Sequence, residues 1–438
     1  MMRRRAVVDF EDAYVGWKRC ARGGEGENAL LLDLGQGCLN SLYAKVSEAG
    51  SVSVLDYAQV EGTGFRDGAV ADRTKFEAAV GKALDELRRR NRLRARRLHV
   101  SLSAPFIAYF NHFATVHLQP RRRVTQRLID QETAKACGEI SSLVEHVMQV
   151  VPARYTLDSI YSGCEPPLGM SGQQLGIELF LLTAPRAALE QIEKTLKELG
   201  YSVASWCYAG LSAAESVMRP SDEAGVAVVD IGEGSTDVAV YQHDRLLHVG
   251  SVGCAGRDFD SDLAVFLNEN ITVAEEVKRQ FGCALPQVIK YNEVVDLKDS
   301  ALTGRSLVPA REIAAVIRDR AQELFYSVEE EIGRGLSPKL LSRVVLTGGG
   351  AKLAGIAELA EIVLGRQVEV GAPRVVNGTI MGFSDPGCAA LIGTLRLVRR
   401  RMLARRRSEA AGMTAAERVR AWLGWLVGSR AGEEKGVV

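Results

Sequence analysis

No run of eighteen consecutive apolar residues occurs, so no segment reads as a bilayer-spanning helix. The Arg3-Arg4-Arg5 cluster has no apolar stretch behind it, and no secretory signal is expected. Eight cysteines are scattered without a Cys-x-x-Cys pair, and the six histidines show no metalloprotease spacing. Free thiols in a reducing cytoplasm are the expectation. Net charge is nearly absent: 55 Lys and Arg stand against 54 Asp and Glu. No global field therefore favours nucleic acid, which is not expected as a partner. What is present is ample apolar material, 47% hydrophobic against 25% charged residues, which excludes a disordered chain. A length of 438 residues predicts two or three domains.

Apolar runs alternate with helical patterns. Ala29–Leu34, Ser41–Val46 and Val52–Val60 read as strands, the last two joined by a turn at Gly50, and Leu98–Ser103 as another. Asp72–Arg90 places Phe76, Val80, Ala83, Leu84 and Leu87 on one helical face. Pro185 opens a helix with Leu189, Ile192, Leu196 and Leu199 inward, and Gly200 ends it. Val226–Asp230 and Val238–Gln242 return to strand. This alternation predicts α/β architecture with mixed sheets flanked by helices. Ala21–Asn28 and Ser408–Met413 read as linkers, and Arg396–Arg407 holds seven arginines in twelve residues.

The most informative pattern is an internal echo. Leu31-Leu-Asp33-Leu-Gly35-Gln36-Gly37 is repeated 197 residues later as Val228-Val-Asp230-Ile-Gly232-Glu233-Gly234. Each copy is an apolar strand ending in Asp-x-Gly-x-Gly and leading into a second β run. One copy alone would read as a hairpin; two suggest a duplicated fold with a ligand between the halves. Tight glycine turns expose successive backbone N–H groups suited to phosphate oxygens. Asp33 and Asp230 stand where they could hold the waters of a Mg²⁺ ion, and Ser235 and Thr236 add hydroxyls. A third loop, Thr347-Gly348-Gly349-Gly350-Ala-Lys352, follows another β run and permits close approach of a purine or ribose.

Asp230–Asp237 and Thr347–Gly355 resemble the second phosphate motif and the adenosine motif of the actin-like ATPase superfamily, and Asp33–Gly37 its first phosphate motif. Within it, Pro167-Leu-Gly-Met-Ser-Gly172, Leu181-Leu-Thr183, Ala209–Ala214, Ala274-Glu-Glu-Val-Lys278, Phe281-Gly-Cys-Ala-Leu285 and Gly371-Ala-Pro373 are similar to the bacterial cell-division FtsA family. The resemblance covers roughly residues 29–400. It implies a two-lobed actin-like (ribonuclease-H-like, duplicated) ATPase fold, α/β, with a small α+β domain inserted in the first lobe. The expected organisation is an extension at 1–28, the first lobe at 29–103 and 184–220, and the insert at 104–183. The second lobe follows at 221–402, with a nucleotide and partner subdomain at about 258–335. A basic linker at 403–413 and an amphipathic helix at 414–428 end the expected scheme.

The resemblance implies ATP with Mg²⁺ in the cleft. Gly35, Gln36, Gly37, Gly232, Glu233, Gly234, Ser235 and Thr236 would lie at the phosphates. Gly348, Gly349, Gly350 and Lys352 would lie at the adenosine side, with Glu275 and Lys278 approaching ribose and adenine. For Glu275 and Lys278 the plain alternative is an i,i+3 ion pair. Asp33, Asp230 and Ser212 are the candidate catalytic residues, with Glu215 beside Ser212. The chain departs from the family pattern where Gln36 replaces a hydroxyl residue and Glu233 replaces a glycine. Slow hydrolysis at best is expected.

The implied function is a polymerising membrane adaptor that binds the FtsZ C-terminal tail, assembles with itself and contacts other divisome proteins through the insert. Its expected place is the cytoplasmic face of the inner membrane at the septum. A PilM-like pilus scaffold is the alternative; a kinase would need a base Asp for which no motif is found. Arg311, Arg318 and Arg320, on the outer face of a long helical pattern at Arg311–Ile332, are the candidate tail-binding cations. Thr414-Ala-Ala-Glu417 is a capping box that can start a helix. Val419, Trp422, Leu423 and Leu426 then share one face, with Trp425 beside them. That helix, roughly 20 Å long, would lie in the membrane interface rather than cross it.

Overall fold

The computed structural model describes residues 26–91, 96–141, 145–219, 224–243, 245–297, 307–374 and 383–410. The N-terminal arginine cluster and the residues of the C-terminal amphipathic pattern lie outside them.

The chain opens on an antiparallel meander, β1 (Gly26–Leu34), β2 (Cys38–Ser47) and β3 (Val52–Glu61). A small hairpin, β4 (Phe65–Arg66) with β5 (Ala69–Val70), precedes helix α1 (Arg73–Asn91) and strand β6 (Arg97–Leu102). The next segment contains β7 (Ala108–Arg123), helix α2 (Gln126–Ile140), β8 (Glu145–Leu157), β9 (Tyr161–Gly163) and β10 (Ser171–Pro185). Helix α3 (Arg186–Glu198), strand β11 (Ser202–Tyr208) and helix α4 (Ala209–Val217) follow. A second meander, β12 (Gly225–Ile231), β13 (Thr236–Gln242) and β14 (Arg245–Val252), then leads into helices α5 (Gly256–Leu267) and α6 (Ile271–Phe281). The rest comprises β15 (Val294–Asp296), β16 (Leu307–Pro309), α7 (Ala310–Gly335), β17 (Leu341–Thr347), α8 (Ile356–Leu364), β18 (Gln367–Val370) and α9 (Ala389–Ala410).

Two of the sheets repeat one design. The first has the order β3-β2-β1-β6-β11 and the second β14-β13-β12-β17-β18. In each, the meander is antiparallel and the last two strands run parallel to its first strand. A third sheet, β7-β10-β8-β9, is packed by α2 through Leu128, Ile129 and Ala136.

The continuous apolar run of β1 has a direct cause: both faces of its sheet are covered. Leu30, Leu32 and Leu34 pack with Phe76, Leu84 and Leu87 of α1 and Ile192 of α3. Ala29 and Leu31 face the other way, onto Leu391, Ile392 and Leu395 of α9. Each fully buried leucine contributes on the order of 1.5–3 kcal/mol. The last helix thus buries its apolar face on the first sheet, although the sequence assigned residues through 402 to the second lobe.

Two further expectations are corrected. Strand β1 begins at Gly26, so Gly26–Asn28 is strand rather than linker, because Asn28 pairs with Lys45 and Gly26 with Ser47. Helix α9 runs to Ala410 through the expected linker. Its arginines make specific contacts: Arg399 Nε donates to Gly50 O at 2.5 Å, and Arg406 Nη1 to Ser47 O at 2.6 Å.

Candidate functional site

Each repeated sheet delivers an aspartate at the end of its first strand. Asp33 sits opposite Asn40 on β2 and Ser101 on β6. Both neighbours donate to it, Ser101 Oγ at 2.7 Å and Asn40 Nδ2 at 3.2 Å. Asn40 is oriented in turn by Tyr57 Oη and Gln59 Nε2, which donate to its Oδ1 at 2.8 and 3.0 Å. Burial nevertheless raises the Asp33 pKa, the two hydrogen bonds pulling the other way. In the second sheet Asp230 sits opposite Asp237 on β13 and Thr347 on β17. The duplicated position therefore carries an amide in one copy and an acid in the other. Burial pushes the Asp230 pKa well up, and the nearby charges of Asp237 and Asp33 push it further. Asp33, Asp230 and Asp237 are all acids whose pKa burial raises, and a cation placed among them would favour their charged forms.

The glycine loops meet between them. A β-carbon on Gly37 would collide with Glu233 Oε2, and one on Gly234 with the Gln36 amide. Gly348, at φ +84°, lies against Asp230 Oδ1 and the Ile231 carbonyl, where only a glycine fits. Gly350 packs on Ile231, whereas Gly349 faces open space. The second loop also rests on α5: Gly256 N donates to Gly232 O at 3.0 Å and Arg257 N to Glu233 O at 2.8 Å. Gly35 lies against the Cys38 carbonyl, closing the first loop on itself.

The structure brings together Asp33, Gln36, Gly37, Asp230, Glu233, Gly234 and Gly348. Lys278 approaches from α6, its Nζ donating to Gly256 O at 2.8 Å and pairing with Asp260 at 2.6 Å. Lys352 pairs with Asp385 at 3.0 Å.

Other expected residues are placed differently. Glu275 pairs with Arg279 at 3.0 Å, so it forms no i,i+3 pair with Lys278. Thr236 is fully buried and donates its hydroxyl to Cys254 O at 2.8 Å, which removes it from a phosphate-binding role. Ser212 is fully buried between α4 and α9, where Thr394 Oγ1 donates to its Oγ at 3.0 Å. It packs two helices together, and Glu215 pairs with Arg400 at 2.5 Å. The three candidate arginines on α7 are not a free basic face: Arg320 grips Asp262 with bonds of 2.6 and 2.9 Å. Arg311 Nε donates to Ile289 O at 2.7 Å, and Arg318 pairs with Asp319.

Sequence reasoning missed Ser103. This first-half residue donates to Asp237 Oδ2 at 2.5 Å and lies 2.8 Å from Ser235 Oγ, linking the two halves. Asn40 and Asp237 were also passed over, although each follows its loop aspartate by seven residues.

The family model described as "Cell division protein FtsA" matches residues 227–393. FtsA of Escherichia coli (strain K12) is 28% identical over 376 residues, covering 83% of this chain and 88% of that protein. FtsA of Pseudomonas aeruginosa is 27% identical over 375 residues, covering 84% and 89%. The chain is thus similar to FtsA over most of its length. Among solved structures, the PilM-PilN type IV pilus biogenesis complex aligns with a TM-score of 0.57 at 22% identity, covering 84% of this chain and 98% of that one. That likeness speaks for the fold alone, and the fold is that of the actin-like ATPases. The stretch matched by the FtsA model includes the second and third loops, Lys278 and the arginines of α7.

Proposed function

We propose that this chain is an actin-like, ATP-binding cell-division protein that ties FtsZ filaments to the cytoplasmic face of the membrane at the septum. The observation that carries the nucleotide reading is the meeting of three glycine loops around Asp33 and Asp230. The donor set fits Mg²⁺: Asp33 and Asp230, two carboxyl groups at matching ends of the repeated strands, would gain from a divalent charge placed between them. Such an ion would neutralise phosphate charge. Gly35, Gly37, Gly232 and Gly234 would offer backbone to the phosphates, Gly348 to Lys352 and Lys278 would flank the adenosine, and Ser235 would add a hydroxyl. With Ser212 and Glu215 engaged in helix packing, hydrolysis is slow at best.

The cell-division reading rests on the FtsA relatives, which match most of this chain. Binding of the FtsZ tail, self-assembly into filaments and contact with other divisome proteins through the 104–183 segment belong to the same proposal. Arg318 is more exposed than Arg320 and is the better placed of the two for an acidic peptide. No helix among the described residues is long and apolar enough to cross a membrane. The proposed anchor is the amphipathic pattern at 414–428, which binds reversibly alone and with avidity in a polymer. A PilM-like scaffold has the fold likeness in its favour, but that likeness is shared by proteins of different function.

Titration with a fluorescent ATP analogue tests the site: wild type binds with Mg²⁺, and Asp230→Asn binds at least about tenfold more weakly. Co-sedimentation of FtsZ filaments with vesicles tests the adaptor. Sedimentation that does not depend on this chain would overturn it.

A further inference from the structure

We propose that Gln36 and Glu233 form a reciprocal clasp across the cleft, which the third phosphate of a nucleoside triphosphate must displace. Glu233 then sets the site's preference for a nucleoside diphosphate over a triphosphate. The proposal rests on the nucleotide reading above and deepens it.

The clasp works in both directions. From the first loop, the Gln36 amide lies on Gly234; from the second, the Glu233 carboxylate lies on Gly37. Each glycine accommodates the side chain from the opposite half, and a β-carbon at either position would close the space. The two residues that depart from the family pattern are therefore the two that reach across. They occupy the ground between the loops where phosphate oxygens would approach the backbone.

The clasp is poorly satisfied. Gln36 is only 9% exposed, and its buried Oε1 accepts no hydrogen bond among the described residues. Its Nε2 reaches Asp67 Oδ1 only at 3.4 Å. A buried acceptor left unmatched favours any ligand that lets it turn. Glu233 is also held on its outer side, with Arg257 Nη2 3.4 Å from its Oε1 while Oε2 lies on Gly37. Swinging outward onto Arg257 would clear Gly37.

Charge decides which nucleotide benefits. A triphosphate brings its extra negative charge to the loop that carries the Glu233 carboxylate, with Asp230 and Asp237 nearby. Lys278 and Lys352 already pair with Asp260 and Asp385, so neither offsets that charge without leaving its partner. A diphosphate ends sooner and leaves the clasp closed. Arg257 is the counterweight: it draws Glu233 away and favours the triphosphate.

The experiment is calorimetric titration of the full chain with ADP and with ATP, both in Mg²⁺. Wild type, Glu233→Gln and Arg257→Gln are compared, with thermal melts establishing that each is folded. The wild type is expected to prefer ADP. Glu233→Gln moves the ADP:ATP affinity ratio toward ATP by about tenfold, the effect of relieving one like-charge contact. Arg257→Gln moves it in the opposite direction, which a merely structural role for the loop would not do. If Glu233→Gln does not fold, the Arg257→Gln change at a half-buried position carries the test alone. A wild type that binds both nucleotides, with ratios unmoved by either substitution, overturns the clasp while leaving the nucleotide site standing. A wild type that binds neither nucleotide overturns the site and the clasp together.

Discussion

Gly393 on α9 lies against the backbone of Ser212 on α4 so closely that a β-carbon would collide with the Ser212 carbonyl. Helix α4 also packs against the second sheet, through Ala213 and Val217 with Val226 and Ala239. Helix α9 meanwhile covers the first sheet through Leu391 and Leu395. Their crossing therefore ties the two repeated sheets together. Gly393→Ala should destabilise the chain by about 1–3 kcal/mol through overpacking, seen as a lower thermal midpoint. A variant that melts with the wild type would mean that the helices do not cross at this distance.

Asp230 makes the stability of the ligand-free chain depend on pH. Its native pKa is raised above the ordinary 3.8 by burial and by the charges of Asp237 and Asp33. Above 3.8 the unfolded carboxyl has lost its proton while the native one still holds it. Stability therefore falls as pH rises through the interval between the two values, and the loss is complete above the native pKa. Asp230→Asn removes that loss. The variant should melt above the wild type at neutral pH and show a flatter pH profile, yet gain less from Mg²⁺ and ATP. Melts across the acid-to-neutral range, with and without nucleotide, check both halves.

How far the sequence carried is visible at these same residues. The Asp-x-Gly-x-Gly echo was legible because both copies build one hairpin. Its seven-residue step from aspartate to partner, Asp33 to Asn40 and Asp230 to Asp237, recurs in the strand register. The faces of α1 and α7 were legible because burial follows helical period, as with Ile313, Ile317 and Leu324. What periodicity does not encode is which distant residue meets which. Ser103 reaches Asp237, Arg320 reaches Asp262, and α9 returns to the first sheet through contacts between segments far apart in the chain. Arginines with no visible partner in the sequence read as a free basic face for that reason.

Glu178 on β10 holds the third sheet to the edge of the second. It is 7% exposed, accepting from Arg154 Nε at 3.1 Å and from Arg245 Nη2, at the start of β14, at 2.9 Å. A second tie runs from Tyr109 Oη, 3.0 Å from His248 Nδ1, through His248 Nε2 to Glu331 at 2.7 Å. Glu178→Ala leaves Arg245 facing that site without its carboxylate. The cost should be about 2 kcal/mol, below that of a fully buried pair because both arginines are partly exposed. Limited proteolysis should cut the segment 104–183 faster in this variant. Unchanged cleavage would place the hold elsewhere, on the Tyr109–His248 tie.

The arginine-rich end of the chain separates two roles that the sequence merged. Arg399, Arg400 and Arg406 are engaged with Gly50, Glu215 and Ser47, fixing α9 to the turn between β2 and β3 and to α4. In that position they are not free to seek anionic lipid. Replacing Arg399 and Arg406 with alanine removes charge-assisted bonds worth about 1.5–3 kcal/mol each and should lower the thermal midpoint. Vesicle sedimentation should change little. Trp422→Glu with Leu423→Glu should do the reverse, abolishing sedimentation with anionic vesicles while the melt stays in place, because the proposed anchor is that single apolar stripe. If the arginine pair loses vesicles and the Trp422 and Leu423 variant keeps them, the membrane contact lies on α9 itself. The contacts of Arg399 and Arg406 with the β2–β3 turn would then have to open when lipid binds.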